Sequence, residues 1–348
     1  MTPTGTRTAV LAAPRRLGIV ERPMPAAGPG EARVRIAATA VCHTDLSIYT
    51  GVHPGVRYPV VMGHECTGVI DSLGPEVTDL RCGQPIIINP IIACGACDSC
   101  RRGVRNLCRN AGLFGREVDG SMSEFVSLPA RYLHPLPAHL PLAEATLIET
   151  LATVRRAQRR LAVAPGETVV VLGQGTTGLL HARLAVLAGA QTVIVVSRSA
   201  WKLDLAVRMG AHQAIGASAD KAVGEVLRLT GGEGADVVID TAGGPALLMA
   251  AIEMLRPGGR LAPYAVSHEC CTGFTTFPLY YKEISIIGSR ALTEEDMGPA
   301  IEWVASGKVK VSDFVSAVYP LDRSAAAFEE YERTPGQVLR IVIDSTAG

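Results

Sequence analysis

The chain has 348 residues, of which 48% are apolar and 19% charged, a composition typical of packed globular domains rather than of disordered segments. One small core does not suffice at this length, so we expect two domains. Lysine and arginine together number 33, as do aspartate and glutamate, so the net charge of zero excludes a global field that would favour nucleic acid or an anionic membrane as a partner.

Up to about residue 150, short β-branched runs are broken repeatedly by glycine and proline, as at residues 32–36, 68–71 and 84–88. This pattern predicts an irregular, β-rich first domain. The N terminus lacks the charged-then-apolar pattern of a secretory signal, and a run of about 18 apolar residues is missing. We therefore expect a cytoplasmic protein that does not enter a membrane.

From residue 153 the pattern changes to apolar strands that alternate with alanine- and leucine-rich helices, which predicts a parallel sheet covered on both faces. The predicted strands are residues 168–172, 192–196, 236–240, 260–266 and 284–287, and the predicted helices are residues 177–187, 200–209 and 246–255. A helix near residues 299–306 and strands at 315–319 and 338–343 are predicted in the last part of the chain.

The longest basic cluster consists of Arg155, Arg156, Arg159 and Arg160 in an alanine-rich segment. Its helical spacing predicts the solvated face of a helix. A phosphate site is the alternative.

Four of the nine cysteines lie close together, in the pattern C-x2-C-x2-C-x7-C formed by Cys94, Cys97, Cys100 and Cys108. In a reducing compartment such crowding points to a metal rather than to disulfides. Four thiolates can surround one tetrahedral Zn²⁺ with no open position, so we predict a structural zinc. The alternatives are free cysteines on a loop, or an iron–sulfur cluster, although the ferredoxin run has a different last gap and a following proline.

The apolar run 168–172 leads directly into a G-x-G-x-x-G sequence and then into a predicted helix. In this context the motif indicates a βαβ unit that binds a dinucleotide. Gly173 permits the tight turn, Gly175 lets the backbone approach the pyrophosphate, and Gly178 permits close packing of the helix. Thr176 and Thr177 open the helix, whose N-terminal N–H groups and dipole would hold the phosphates.

The preference between NAD and NADP is read about 20 residues beyond the glycines, where an acidic side chain would bind the ribose hydroxyls and repel a 2′-phosphate. Ser197 holds this position, Arg198 follows it, and Lys202 comes one helical turn later. Arg198 can stack on the adenine and pair with phosphate, so we expect NADP(H) rather than NAD(H). The alternative is that Arg198 and Lys202 are ordinary solvated residues at the start of a helix.

Three short segments contain candidate ligands for a second, open metal site: Cys-His-Thr-Asp at 42–45, Gly-His-Glu at 63–65 and Leu-Ile-Glu at 147–149. Each segment is weak evidence by itself. Together with Gly68, Gly74 and Val77 at the right offsets, and with the four-cysteine segment, they resemble the signature of zinc-containing medium-chain alcohol dehydrogenases. The likeness extends in order over essentially the whole chain.

The resemblance implies a catalytic zinc bound by Cys42, His64 and Glu149. Common alcohol dehydrogenases have a cysteine at the third position, and Glu149 is similar instead to the ligand of the sorbitol and polyol dehydrogenase branch. Glu65 is similar to a glutamate behind the metal that can coordinate in exchange with water. Asp45 matches a carboxylate that orients the histidine ligand and raises its basicity.

The resemblance also implies roles for residues around the cofactor. Thr44 matches a hydroxyl that relays the alcohol proton towards the cofactor ribose, and Ser47 stands where several relatives complete this relay with a histidine. His43 matches a position near the pyrophosphate, with an exposed loop histidine as the alternative. Arg340 resembles an arginine of the last strand that reaches the cofactor phosphates, although a surface ion pair would explain it as well.

An α/β fold follows from the resemblance: a GroES-like β-rich catalytic domain at 1–152 and 291–348, and a Rossmann domain with a doubly wound parallel sheet at 153–290. We expect a homodimer or homotetramer with two zincs per chain. Its reaction would transfer hydride between NADP(H) and a secondary alcohol or polyol, or the corresponding ketone or aldehyde. The alternatives are a zinc-free quinone or enoyl reductase of the same superfamily, and a non-catalytic zinc- or nucleotide-binding relative.

Overall fold

The computed structural model describes residues 5–347, which divide into two compact units. One unit comprises the described residues up to Ala152 together with those from Leu292 onwards, and the other comprises Thr153–Ala291. Within the described part of the chain, no helix is both long and apolar enough to cross a membrane.

The chain is rich in short strands before residue 140, and strands alternate with helices from residue 168 onwards. The strands are β1 (Gly5–Leu11), β2 (Leu17–Pro23), β3 (Glu31–Val41), β4 (Val60–Val61), β5 (Glu65–Leu73), β6 (Pro85–Ile88), β7 (Ile91–Ile92), β8 (Gly112–Leu113), β9 (Phe125–Pro129), β10 (Leu133–Pro135), β11 (Thr168–Leu172), β12 (Thr192–Val196), β13 (Gln213–Ile215), β14 (Ala235–Asp240), β15 (Leu255–Pro263), β16 (Ser285–Ile286), β17 (Val315–Pro320) and β18 (Arg340–Asp344). The α-helices are α1 (His43–Thr50), α2 (Asp98–Arg101), α3 (Leu142–Ala145), α4 (Leu147–Leu161), α5 (Thr176–Leu187), α6 (Ala200–Arg208), α7 (Ala219–Leu229), α8 (Pro245–Met254), α9 (Phe277–Tyr281), α10 (Glu294–Ala305) and α11 (Ser324–Arg333). Short 3-10 turns lie at Arg105–Leu107, Ala130–Tyr132, Ser312–Phe314 and Leu321–Arg323.

The long strand β3 organises the first unit, because β5, β9 and β18 all pair with it in antiparallel fashion. The main sheet has the order β10-β6-β5-β3-β18-β17, and two smaller sheets, β2-β1-β4 and β7-β8, complete the unit. This architecture confirms the predicted β-rich domain. Ala40 pairs with Glu65 and Val41 with Ile341, so the end of β3 lies beside the starts of β5 and β18. Three distant parts of the sequence therefore meet at one point of the sheet.

The second unit contains one sheet of six parallel strands in the order β13-β12-β11-β14-β15-β16. Strands β11 and β12 read TVVVL and TVIVV and are buried at every position after the first, as a sheet covered on both faces requires. If the six strands are numbered 1 to 6 in chain order, their order across the sheet is 3-2-1-4-5-6. The direction of this order reverses between β11 and β14. The predicted doubly wound parallel sheet is confirmed.

The predicted and observed strands differ most at β15. The strand begins at Leu255 instead of residue 260, across a bulge opposite β14, and it ends at Pro263 instead of residue 266. Beyond Pro263, the N–H groups of Tyr264 and Ala265 both donate to the carbonyl oxygen of Asp240, at 2.9 and 3.0 Å. These two hydrogen bonds turn the chain out of the sheet before its apolar run is finished.

The basic cluster on α4 is only partly solvated. Arg159 and Arg160 are exposed, but Arg156 is 6% exposed. Arg156 stands at i+4 from Ala152 and at i+7 from Glu149, both of them buried, so helical periodicity places it on the covered face. The prediction of a solvated face is therefore wrong for Arg156.

Gly178 allows α5 to pack against the turn that precedes it. A Cβ atom at this position would lie 2.0 Å from the carbonyl oxygen of Gly173, far inside contact distance. We expect Gly178→Ala to lower the free energy of unfolding by about 1–3 kcal/mol, the usual cost of overpacking, in urea unfolding followed by circular dichroism.

Gly224 in α7 offers the matched control, because a Cβ atom there would meet no other atom within 4 Å. Gly224→Ala should leave the free energy of unfolding unchanged or raise it by up to about 1 kcal/mol, since alanine favours the helix. Equal losses in the two variants would show that the packing at Gly178 is not the cause.

Candidate metal centres and dinucleotide site

The four clustered cysteines form a compact group around the short helix α2. Neighbouring sulfur atoms are 3.9 Å (Cys94–Cys100), 3.5 Å (Cys97–Cys100), 3.7 Å (Cys97–Cys108) and 3.4 Å (Cys94–Cys108) apart. Four thiolates at about 2.3 Å from a zinc ion are separated by about 3.8 Å, whereas a disulfide joins its sulfurs at about 2.05 Å. The spacing therefore fits a four-cysteine zinc site and no disulfide, and all nine cysteines of the chain are free.

Backbone N–H groups favour the thiolate form of two of these cysteines. The N–H groups of Ala96 and Cys97 donate to Cys94, and those of Cys100 and Arg109 donate to Cys97. These hydrogen bonds lower the pKa of both thiols, that of Cys97 to about 6. Desolvation, in contrast, raises the pKa of Cys100 to about 12. Because a zinc ligand must be deprotonated, Cys94 and Cys97 are better prepared for the metal than Cys100 is.

A second group of metal-ligating side chains lies where β3 ends and β5 begins. Cys42 Sγ is 3.2 Å from His64 Nε2, and donor atoms of Cys42, His64 and Glu65 all lie within 4.8 Å of one another. A zinc ion bound by a thiolate and an imidazole would hold the two ligand atoms about 3.6 Å apart. All three side chains are buried. The donors of this group fit zinc, and a site with three protein ligands keeps a position for a substrate oxygen.

The carboxylate of Asp45 links Cys42, Gly63 and His64. Its side chain is fully buried, and its Oδ1 lies 3.4 Å from His64 Nδ1 and accepts the N–H of Gly63 at 3.2 Å. Its Oδ2 accepts the N–H of Cys42 at 3.1 Å. Although burial opposes ionisation, the imidazole and these N–H groups hold the pKa of Asp45 below its usual value. The geometry is that of a carboxylate that orients a histidine ligand.

The guanidinium of Arg340 binds the carboxylate of Glu65. Two hydrogen bonds join them, Nη2 to Oε1 at 2.6 Å and Nε to Oε2 at 2.9 Å, and the two side chains are 4% and 6% exposed. Arg340 also donates to Thr150 Oγ1 at 3.3 Å. The alternative of a surface ion pair for Arg340 is therefore wrong, whereas its role at the cofactor phosphates stays a prediction.

Glu149 is buried near the start of α4, but its carboxylate lies outside the group formed by the other three ligand candidates. Burial, and then repulsion from Glu65, raise the pKa of Glu149 to about 8. Charges on His64 and Arg340 act on Glu149 in the opposite direction. The structure thus places Glu149 beside the group without bringing it within ligand distance of all its members, and its coordination stays a prediction.

Helix α1 begins directly after Cys42, with His43 exposed and Thr44 half-buried. Ser47 Oγ donates to the carbonyl oxygen of Thr44 at 2.7 Å, so the Ser47 hydroxyl is turned towards its own helix. The exposure of His43 agrees both with a position near the cofactor pyrophosphate and with an ordinary exposed histidine. The roles of His43 and Thr44 at the cofactor and the substrate stay predictions.

The glycine turn of the second unit leaves room for a ligand. Gly173 has a φ of 85°, in the left-handed region that favours glycine. Gly175 precedes the first residue of α5, and a Cβ atom there would meet nothing within 4 Å. Thr176 and Thr177 form the first positions of α5. Open space in front of helix N–H groups, at the point where the strand order reverses, fits the pyrophosphate of a dinucleotide.

The end of β12 leads into Ser197 and Arg198. Ser197 Oγ accepts the N–H of Ser199 at 3.2 Å, and Arg198 is exposed. Lys202, in contrast, is 8% exposed, with Nζ 5.3 Å from the centre of the Trp201 ring, and burial lowers the pKa of Lys202. The alternative of a solvated residue is therefore wrong for Lys202 and open for Arg198.

Asp240 belongs to this edge of the sheet, although the sequence patterns did not single it out. It ends β14 and is buried, and its Oδ1 accepts the N–H groups of Ala242 and Gly243 at 3.0 and 2.9 Å. The resulting turn packs on the glycine turn, since a Cβ atom at Gly173 would lie 3.0 Å from the Cβ of Ala242. An aspartate that ends an apolar strand and precedes Thr-Ala-Gly-Gly is the signal that would reveal this turn.

Removal of one clustered thiolate should release one zinc ion. We expect Cys97→Ser to lower the zinc content by one ion per chain and to lower the Tm, because a closed zinc site contributes directly to folding. Metal analysis and thermal unfolding of the purified protein measure both effects. Cys82→Ser, which removes an exposed cysteine outside the group, should change neither. An unchanged zinc content in Cys97→Ser would contradict the four-cysteine zinc site.

Two family models match the chain: the alcohol dehydrogenase GroES-like domain at residues 28–138 and the zinc-binding dehydrogenase domain at residues 176–306. The sorbitol dehydrogenase of Bacillus subtilis is 30% identical over 346 residues, which cover 98% of this chain and 98% of the relative.

Solved structures show the same similarity. An alcohol dehydrogenase from Escherichia coli, complexed with NADH, is 26% identical with a TM-score of 0.90, and the match covers 98% of this chain and 100% of that one. A zinc-binding dehydrogenase from Sinorhizobium meliloti, bound to NADP, is 26% identical with a TM-score of 0.88, at the same coverage of 98% and 100%. Motifs, fold and relatives agree, and the chain belongs to the zinc-containing medium-chain alcohol dehydrogenase family.

Proposed function

We propose that the chain is a zinc-dependent dehydrogenase that transfers hydride between NADP(H) and a secondary alcohol or polyol, or the corresponding ketone or aldehyde. The observation that carries this proposal is the buried group of Cys42, His64 and Glu65, with donor atoms within 4.8 Å of one another. A thiolate and an imidazole beside a carboxylate are the donors used by catalytic zinc sites. A purely structural zinc protein has no need for this second group.

The residues around this group orient its side chains and balance their charge. When bound, zinc supplies Lewis acidity to the oxygen of an alcohol or a carbonyl. Asp45 orients the imidazole of His64 from its Nδ1 side, so that Nε2 faces Cys42. Arg340 neutralises Glu65 and fixes its carboxylate by two hydrogen bonds. In this proposal the Thr44 hydroxyl accepts the alcohol proton and donates its own to a hydroxyl of the cofactor ribose, with Ser47 where several relatives have the next imidazole of the relay.

Glu149 is the proposed third ligand, and Glu65 would coordinate only in exchange with water. A cation beside this buried carboxylate would favour its ionised form, which burial and Glu65 disfavour. A carboxylate in place of a second thiolate gives a harder and less negatively charged ligand set. The similarity to the B. subtilis sorbitol dehydrogenase supports a polyol or another secondary alcohol as the substrate class.

The proposed preference for NADP(H) rests on the second unit. The acidic side chain that selects NAD is replaced by Ser197, and Arg198 beside it is exposed and so accessible to a 2′-phosphate. One similar structure contains NADH and another contains NADP, so the family alone leaves the choice open.

We also propose that the protein is a cytoplasmic homodimer or homotetramer. Four large apolar side chains of the second unit are between 62% and 88% exposed, namely Val266, Phe277, Tyr280 and Tyr281. Contiguous exposed apolar groups, such as the stacked rings of Phe277 and Tyr281, are typical of interaction surfaces. Nine free cysteines agree with a reducing compartment.

Loss of the histidine ligand should abolish the reaction. We expect His64→Ala to lack one of two zinc ions per chain and to lose turnover, because too few donors remain to hold the metal. Metal analysis and NADPH absorbance, with a panel of ketones, sugar alcohols and quinones, measure the two effects.

The exposed His139 provides the matched control, and His139→Ala should keep both zincs and full activity. A parent protein with a single zinc, together with a fully active His64→Ala variant, would overturn the proposal. Activity on quinones alone would instead favour a zinc-free reductase of the same superfamily.

Cofactor choice can be tested at Arg198. We expect Arg198→Ala to raise the KM for NADPH by about tenfold or more, the effect of losing a charge-assisted hydrogen bond, and to change the KM for NADH little. Initial rates at varied cofactor concentration measure this. Arg208→Ala is the control; Arg208 is exposed at the last position of helix α6, which begins two residues after Arg198, and its loss should affect neither cofactor. Equal increases for both cofactors in Arg198→Ala would contradict recognition of a 2′-phosphate.

A further inference from the structure

Gly63, the residue before the His64 ligand, has its backbone fixed on two sides. Its N–H donates to Asp45 Oδ1 at 3.2 Å, and its carbonyl oxygen accepts the N–H of Ser121 at 3.0 Å. The φ of Gly63 is 96°, and a Cβ atom there would lie 2.6 Å from a methyl carbon of Thr39. The peptide that carries His64 therefore has little freedom to move.

Ser121 belongs to the loop of residues 114–124 that connects β8 to β9. This loop also forms hydrogen bonds with the two residues before Gly63. The N–H of Val61 donates to Asp119 Oδ1 at 3.2 Å, and the carbonyl oxygen of Val61 accepts the N–H of Gly120 at 2.9 Å. The carbonyl oxygen of Met62 accepts the N–H of Met122 at 3.0 Å. Residues 119–122 of the loop thus hold residues 61–63, the segment that directly precedes His64.

Two glycines let this loop approach so closely. A Cβ atom at Gly115 would lie 2.6 Å from the carbonyl oxygen of Gly63, and one at Gly120 would lie 2.3 Å from the same oxygen. A Cβ atom at Gly120 would also lie 2.6 Å from the Cα of Gly115. Three glycine backbones are thus in direct contact, and Gly115 and Gly120 are both buried.

We propose that Gly115 and Gly120 are positioning residues for His64, an inference that rests on the proposed catalytic metal site. A Cβ atom at Gly120 would have to move the Gly63 peptide by about 1 Å to reach an ordinary contact distance, whereas metal–ligand distances tolerate about 0.2 Å. Such a shift would also disturb the contact of Asp45 with Gly63 and His64. The two glycines therefore act on the metal through the backbone of its ligand.

The decisive variant is Gly120→Ala. Gly120 does not have a positive φ, so alanine there tests space alone and adds no backbone strain. We expect the affinity for the metal at Cys42 and His64 to fall by about 10–100-fold, the usual effect of disturbing the support of a ligand, while the four-cysteine site keeps its zinc. Zinc retained over a series of chelator concentrations measures both sites in one molecule, and the absorption of the cobalt-substituted protein reports distortion of the Cys42–His64 site.

Gly18→Ala is the matched control, because Gly18 also lacks a positive φ and a Cβ atom there would meet nothing within 4 Å. It should leave both metals and the cobalt spectrum unchanged. A merely structural role for Gly120 would lower the Tm without a selective change in affinity or spectrum, and that result would overturn the inference.

A second pair of variants covers the case in which Gly120→Ala does not fold. Asp119→Ala removes the acceptor of the Val61 N–H, and with it the ion pair to Arg22, without adding atoms, and it should weaken the same metal selectively. Asp119→Asn keeps an acceptor oxygen and should retain the affinity. Unchanged affinity in Asp119→Ala would overturn the inference, whereas a parent protein that binds metal only at the four cysteines would overturn the proposed function itself.

Discussion

The candidate metal site at Cys42 and His64 depends on the contacts of the Asp45 carboxylate. Fully buried, it joins the backbone of Cys42, the backbone of Gly63 and the ring of His64. Removing a buried acceptor leaves its donors unpaired, which costs more than the hydrogen bonds themselves contribute. The Glu65–Arg340 pair is a second buried charge pair beside it. Both interactions are made by the protein alone, so they orient the candidate ligands without the help of a metal.

Predictions from the sequence succeed where the pattern is local. Strands β11 and β12 have the predicted bounds because an uninterrupted β-branched run is enough to define a buried parallel strand. Strand β13 lies outside the predicted elements, because it has only three residues and the first two are exposed. The burial of Arg156 also escaped prediction, since the spacing of charges on α4 does not say which face of the helix is covered.

The two candidate metal sites differ in the same way, because the residues of one are close together in sequence and those of the other are far apart. The four clustered cysteines lie within 15 residues of sequence, so their spacing alone predicts a zinc site. Cys42 and His64 needed the family resemblance, because the elements that bring them together are far apart in sequence. No local pattern connects Glu65 with Arg340, which are separated by 275 residues. The support that Gly115 and Gly120 give to Gly63 is likewise invisible in the sequence, because a close backbone contact leaves no periodicity.

Strand β18 occupies an interior place in its sheet, with β3 on one side and β17 on the other, although it comes last in sequence among the strands of residues 5–347. During synthesis the ribosome releases Arg340 only after the whole continuous segment Thr153–Ala291 has emerged. Because domains generally fold as units as they leave the ribosome, the unit Thr153–Ala291 is free to fold while the other unit still lacks strand β18 and the counter-ion of Glu65. The unit that contains Cys42, His64 and Glu65 therefore remains incomplete until residues 340–344 have been translated, which is after the whole of the other unit.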